Sequence, residues 1–261
     1  MSDTAPHFLT VGTDAGARRI AVRDRPGAGP GLLWLGGFMS DMQGTKAVAL
    51  DEWGARAGRA VTRFDYSGHG ESEGRFEDGT ITRWLDESEA VFDAYCTGPT
   101  ILVGSSMGGW IALLLARRLQ AAGKADRLAG MVLIAPAADF TERLMWAAFP
   151  QDVKDTIERD GVWLRPSPYG EDPFPITRAL IEDGRSNLLY DSGQIETACP
   201  VHILQGVQDT DVPWTHVTDL VSRLARDDVV LTLVKDGDHR LSRPQDIERL
   251  LATVEGLSAE D

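Results

Sequence analysis

Ser106, Asp209 and His239 are the residues of this 261-residue chain whose types and settings could do chemistry together. Ser106 is the centre of Gly104-Ser105-Ser106-Met107-Gly108, Asp209 ends the run "VHILQGVQD", and His239 follows "VVLTLVKDGD". A serine hydroxyl is a poor nucleophile until an imidazole takes its proton. The imidazole needs a carboxylate to fix its tautomer and to stabilise the cation it becomes. These types therefore point to acyl transfer through a covalent intermediate, with Ser106 attacking, His239 moving the proton and Asp209 orienting His239. A tetrahedral intermediate also needs backbone N–H donors for its oxyanion. Met107, next to the nucleophile, supplies one. Phe38, after Gly36-Gly37 in "LWLGGFMSD", is expected to supply the other.

Rival residues read differently. Ser105 lies one residue earlier, on the strand side of the turn, where its side chain is expected to pack among neighbours. Asp211 is the rival acid, but Asp209 sits nearer the strand end; Asp238 is expected to shape the loop of its neighbour His239. His69, in "FDYSGHGES", belongs to a turn with internal hydrogen bonds, which predicts a structural role. His7, His202 and His216 have no nearby partners in the sequence. No grouping of His, Cys or carboxylates has metal-ligand spacing and no glycine-rich loop resembles a phosphate cradle, so neither a metal nor a cofactor is expected.

The elements that must hold these residues alternate between apolar runs and helical patterns, which predicts an α/β fold with a mostly parallel sheet and helices on both faces. "FLTVG" and "RRIAVRD" read as short strands before a Gly-Pro-Gly break, and "GLLWLGG", "AVTRFDY", "TILVGS" and "LAGMVLIAPA" read as strands after it. Between them lie helices: "TKAVALDEWGARAGR", with Val48, Trp53 and Ala57 near one face, and "TITRWLDESEAVFDAYC", with Thr80 as its N-cap. The rhythm breaks at Asp139 and resumes after Ile195. Residues 139–195 are therefore expected to form a helical cap inserted into a core made of residues 1–138 and 196–261. The aromatics of that stretch, Trp146, Phe149, Trp163, Tyr169 and Phe174, suit either the core of a subdomain or the lining of an apolar pocket. "CPVHILQG", "WTHVTDLVSRLA", "VVLTLVKD" and "PQDIERLLATVEGL" complete the alternation as strand, helix, strand and helix.

Forty acidic against 26 basic side chains give a formal net charge of −14, which repels phosphate backbones and argues against nucleic acid as a partner. The two cysteines, Cys96 and Cys199, lie far apart beside strand signals, as small buried hydrophobes would. The longest apolar stretch, "MGGWIALLLA", is too short to span a bilayer. "MSDTAPHFLTVG" has neither a basic start with an apolar run nor an Arg-rich amphipathic pattern, so a cytoplasmic location is expected.

In an open α/β sheet, reacting groups gather beyond the carboxyl ends of the strands, and all three polar signals lie at such ends. The order Ser, Asp, His along the chain is that of the α/β-hydrolase nucleophile elbow, a tight strand-to-helix turn that admits only small residues two positions either side of the serine. The segments "GGFMSDMQGTKAVALDEWGARAGRAVTRFDYSGHGESEG" and "ILVGSSMGGW" resemble the palmitoyl-protein thioesterases, also called mycophenolic acid acyl-glucuronide esterases, whose animal members are mitochondrial. The resemblance is densest over residues 31–110 and returns around Asp209 and His239. It implies an α/β-hydrolase fold with an eight-stranded sheet and hydrolysis of activated acyl groups. Ser106, Asp209 and His239 fall on the family's triad positions, whereas "GTKA" and "FDYSG" match recurring segments without known catalytic roles. Gly36-Gly37 departs from the family's usual Pro-Gly.

The same triad cleaves esters, thioesters and amides, so the residues alone do not select among them. The aromatics of the expected cap suit a fatty acyl chain or an aromatic acid, favouring a small-molecule acyl ester or thioester, with an acylated protein as a further candidate. An amidase or aminopeptidase is the alternative within enzymes, and a non-catalytic ligand-binding protein the alternative outside them. A serine at the elbow argues against the dehalogenase and epoxide hydrolase branches, which need a carboxylate there.

Overall fold

The apolar runs of the sequence become strands because each is long enough to cross a sheet and β-branched or leucine-rich enough to be buried on both faces. The computed structural model describes residues 5–166, 173–226 and 228–258. Its strands are β1 (His7–Val11), β2 (Arg18–Arg25), β3 (Ala28–Leu35), β4 (Arg59–Phe64), β5 (Thr100–Ser105), β6 (Leu128–Ile134), β7 (Val162–Arg165), β8 (Phe174–Thr177), β9 (Val201–Gly206) and β10 (Val229–Val234). Eight of them form one sheet in the order β1-β2-β4-β3-β5-β6-β9-β10. The pairs from β4 to β10 are parallel, and only β1·β2 and β2·β4 are antiparallel. The carboxyl ends of β3, β5, β6, β9 and β10 therefore open onto one edge of the sheet.

The helices are α1 (Thr45–Ala57), α2 (Ile81–Tyr95), α3 (Met107–Ala121), α4 (Gln151–Asp160), α5 (Arg178–Arg185), α6 (Trp214–Arg223) and α7 (Pro244–Ser258). Successive strand residues serve opposite faces: Leu33, Leu35 and Leu102 pack with α2, α3 and α6, while Leu32, Trp34, Ile101 and Val103 pack with α1 and α7. Each fully buried leucine, isoleucine or valine of these layers contributes about 1.5–3 kcal/mol. The buried face of α1 is Ala47, Leu50, Trp53 and Gly54, rotated from the expected Val48 and Ala57 because β4 lies beneath Gly54. In α2 the Thr80 hydroxyl accepts from Arg83 N as a cap should. Cys96 and Cys199 are buried free thiols.

Between β6 and β9 the chain adds α4, α5 and a second, two-stranded antiparallel sheet of β7 and β8. Periodicity did not signal this pair, since each strand has four residues and β8 carries Pro175. Asp139 ties the two ends of the stretch together: its buried carboxylate accepts from Leu189 N at 2.8 Å and Tyr190 N at 2.9 Å. Phe149 stacks edge-on against Trp163, and Phe174 against Phe38 of the β3 loop, so these rings pack within the stretch and against the core. Tyr169 lies outside the described residues. Among the described residues, no helix is long and apolar enough to cross a membrane.

Candidate active site

Ser106 occupies the single-residue gap between β5 and α3, with φ 54° and ψ −117°. A β-carbon strains this conformation by about 1–3 kcal/mol, so it persists only where the surroundings impose it. Here they do. Ser106 N donates to Ile134 O at 2.8 Å, and Ser106 O accepts from Gly109 N and Ala137 N at 2.9 and 3.1 Å. The start of α3 is pressed onto the β3 end, where a Cβ on Gly108 would lie 2.0 Å from Leu35 O. Only glycine permits that approach.

The strand ends bring the distant side chains together. His239 Nε2 lies 3.1 Å from Ser106 Oγ, and His239 Nδ1 lies 2.8 Å from Asp209 Oδ2. The carboxylate side chain is fully buried, whereas the imidazole remains 21% exposed and so open to a substrate. Asp209 Oδ1 accepts from Asp211 N and Val212 N at 2.9 and 2.8 Å, which leaves Oδ2 aimed at the imidazole. Because Oδ2 can only accept, Nδ1 carries the proton and Nε2, facing Ser106 Oγ, is an acceptor.

Met107 N begins α3 and Phe38 N follows Gly36-Gly37; among the described residues neither donates to a protein acceptor. The β3 loop passes over the serine: a Cβ on Gly37 would meet Ser106 Cβ at 3.5 Å. Ser105 is buried on β5. Asp238 Oδ1 accepts from Leu241 N at 3.0 Å and so shapes its loop. Asp209, Asp211 and His239 stand close enough for their ligand atoms to surround an ion, but Asp209 and His239 already spend those atoms on each other.

Three polar residues that the sequence did not single out for the site support it. Gln205, buried at the end of β9, directs Nε2 to Asp209 Oδ2 at 3.2 Å and to Val212 O at 2.9 Å. Its signal was a lone amide in an otherwise apolar strand. Lys46 of α1 donates to Arg240 O, beside His239, and burial pulls its ammonium down to about 8. Asp65, after β4, accepts from Met42 N at 2.7 Å and Glu71 N at 2.9 Å, and burial pushes its carboxyl up to about 6. His216 also departs from expectation: the fold gives it the Ala138 carbonyl at 2.9 Å and the Tyr190 ring at 5.0 Å, contacts that cross too much sequence to be foreseen. Burial lowers its pKa.

Residues 13–250 match the sequence model described as "Alpha/beta hydrolase family". The chain belongs to the α/β-hydrolase family. The family model together with its thioesterase-named relatives makes it an enzyme, as the residues implied. It is 34% identical over 239 residues to human "Palmitoyl-protein thioesterase ABHD10, mitochondrial", spanning 91% of this chain and 76% of that protein. Among solved structures, a putative hydrolase from Agrobacterium vitis S4 superposes with a TM-score of 0.93 at 50% identity, over 97% of this chain and 98% of that one. Mouse alpha/beta hydrolase domain-containing protein 10 superposes with a TM-score of 0.86 at 33% identity, over 97% and 98%. The family resemblance of residues 31–110 thus extends over nearly the whole hydrolase. The expected cytoplasmic location is overturned, because the curated relatives are named mitochondrial. The expectation rested on the pattern of "MSDTAPHFLTVG" alone, and so short a stretch does not decide a compartment.

Proposed function

We propose that this α/β-hydrolase cleaves acyl thioesters or carboxylic esters through an acyl-enzyme on Ser106. What carries the reading is the line from Ser106 Oγ to His239 at 3.1 Å and from His239 to Asp209 at 2.8 Å, with a strained serine at its head. Ser106 Oγ attacks the acyl carbon as its proton passes to His239 Nε2, and the imidazolium is held by Asp209. The carbonyl oxygen becomes an oxyanion facing the N–H groups of Met107 and Phe38. Collapse expels the thiol or alcohol, which takes the proton from His239. Water then attacks the acyl-enzyme, gives a proton to His239, and the carboxylic acid leaves as Ser106 regains its hydroxyl.

The acyl group is read from what surrounds the serine. Residues 139–195 act in this reading as a cap, whose Phe174 stacks at 6.0 Å on Phe38, itself 5.7 Å from Phe140. Such an aromatic wall favours a fatty acyl chain over a peptide. The relatives named palmitoyl-protein thioesterases point the same way, with small acyl thioesters and acylated proteins as the substrate class.

The test is intact mass after a fluorophosphonate probe, on native protein, Ser106→Ala and Ser105→Ala. One adduct on native and Ser105→Ala protein and none on Ser106→Ala is expected; labelling of Ser106→Ala sinks the assignment. A series of p-nitrophenyl esters and acyl-CoA thioesters of rising chain length then reads the pocket, and a flat profile removes the fatty-acyl reading.

A further inference from the structure

The segment Asp65–Glu71, "DYSGHGE", takes no direct part in the triad, yet it grips the loop that carries Phe38. His69 Nε2 accepts from Met39 N at 3.2 Å, and four residues earlier Asp65 Oδ1 accepts from Met42 N at 2.7 Å. The loop needs such a grip. Ser40 N closes a turn onto Gly37 O at 3.1 Å, and Met39 is bent to φ 59°, a left-handed conformation that disfavours side chains.

The tautomer of His69 follows from its partners. Ser67 O, 3.2 Å from Nδ1, can only accept, and Met39 N–H can only donate. Nδ1 therefore holds the proton and Nε2 is the acceptor. The ring is 5% exposed, wedged edge-on between Tyr66, Phe76 and Trp84. Phe76 and Trp84 also contact the ring of Phe38, at 4.9 and 6.0 Å. Backbone and side chain of the Phe38 loop are thus set by one buried cluster.

We propose that His69 is a positioning residue for hydrolysis: by accepting from Met39 N–H it fixes the adjoining Phe38 N–H toward the oxygen that gains charge when an acyl group is attacked by Ser106. This rests on the acyl-enzyme reading above. It gives the recurring "FDYSG" stretch, extended to His69, a role through the oxyanion loop rather than through the triad. A wavering donor stabilises the transition state less while leaving the bound ester largely untouched, so the cost falls on kcat rather than KM.

The experiment compares full-length wild type with His69→Phe, which keeps a ring but removes the acceptor, and His69→Gln, whose Oε1 replaces Nε2 as acceptor. With p-nitrophenyl octanoate, kcat of His69→Phe is expected to fall about 10- to 100-fold with KM within about twofold, below the full loss of one oxyanion donor. Inhibition by a straight-chain alkyl trifluoromethyl ketone, whose hemiketal places an oxyanion at the same spot, should weaken by a similar factor. His69→Gln should recover most of both. A folded His69→Phe with wild-type kcat, or His69→Gln no faster than His69→Phe, overturns the proposal. If His69→Phe does not fold, His69→Leu takes its place as the acceptor-free match for His69→Gln and is judged by the same two criteria. Ser106→Ala is run alongside: if it keeps activity, the acyl-enzyme reading and this one both fall, whereas an inactive Ser106→Ala beside an unaffected His69→Phe removes this one alone.

Discussion

Gly104 and Gly108 lie back to back across the turn at Ser106: a Cβ on Gly104 would stand 2.3 Å from Gly108 O. The contact lets the last turn of β5 and the first turn of α3 meet, and it forces Ser106 to the apex with φ 54°. A methyl on Gly104 must push β5 from α3, and one on Gly108 must push α3 from the end of β3.

Gly108→Ala is therefore expected to destabilise the fold by at least about 1–3 kcal/mol, the ordinary cost of overpacking. Its Cβ would face Leu35 O at 2.0 Å and Gly36 O at 2.6 Å, both backbone atoms with little room to yield. Urea unfolding reads the stability, and the rate of fluorophosphonate labelling, expected to fall at least about tenfold, reads the displacement of Ser106.

Two acids compete at the end of β9, and the hydrogen bonds separate them. Asp209 meets His239 at 2.8 Å, while Asp211 donates its backbone N–H to Asp209 Oδ1. Asp209→Asn should lower kcat by about 10⁴-fold through the wrong imidazole tautomer, and Asp211→Asn by less than about tenfold. Steady-state hydrolysis of one ester by both variants decides; the reverse ranking would make Asp211 the working acid.

Gln205→Leu removes the amide that spans Asp209 Oδ2 and Val212 O, and strips the Val212 carbonyl of its donor. The expected cost is about 1–3 kcal/mol of stability for a buried carbonyl left unpaired. A drop in kcat of about tenfold should accompany it as Asp209 loosens, a loss of roughly 1.4 kcal/mol in transition-state stabilisation. Thermal melts and kcat together test this; unchanged kcat in a destabilised variant would leave Gln205 with packing alone.

Burial holds His69 at about 4, against an ordinary 6.5. Between those values the unfolded chain binds the proton and the folded one does not, so this residue makes stability fall as pH drops from 6.5 to 4. The limit at the acid end is of the order of 3 kcal/mol. Asp65, raised by burial to about 6, acts in the opposite sense over a similar range, since its contribution is lost as pH rises through 6. It is present in wild type and His69→Gln alike. The gap in stability between wild type and His69→Gln should therefore shift in favour of His69→Gln as pH falls from 6.5 to 4, measured by urea unfolding at each pH. A gap that does not move would mean that His69 is already protonated, or freely solvated, in the folded protein.

The elements and their order were legible because their causes are local. A strand such as "TILVGS" is buried on both faces, α2 repeats its apolar residues at helical spacing behind a threonine cap, and glycines flank Ser106 where a tight turn must be. The short pair β7 and β8 was not legible, since four residues with a proline carry too little periodicity. The compartment was misjudged, because the pattern of "MSDTAPHFLTVG" was weighed above the mitochondrial membership of the family that the chain resembles.

By itself the sequence determined that Ser106, Asp209 and His239 would stand at strand ends, as position along the chain fixes which residues follow which strand. Only the tertiary structure decided what those ends face. Strand order places β3 beside β5 and β9 beside β10, which brings His239 to Ser106 across 133 residues and turns Gln205 toward Asp209. The same packing carries His69 from a local turn in the sequence to the backbone of the Phe38 loop, 30 residues away from it along the chain. A hydrogen bond between distant segments depends on how sheet and loops stack in space, and no local pattern encodes that.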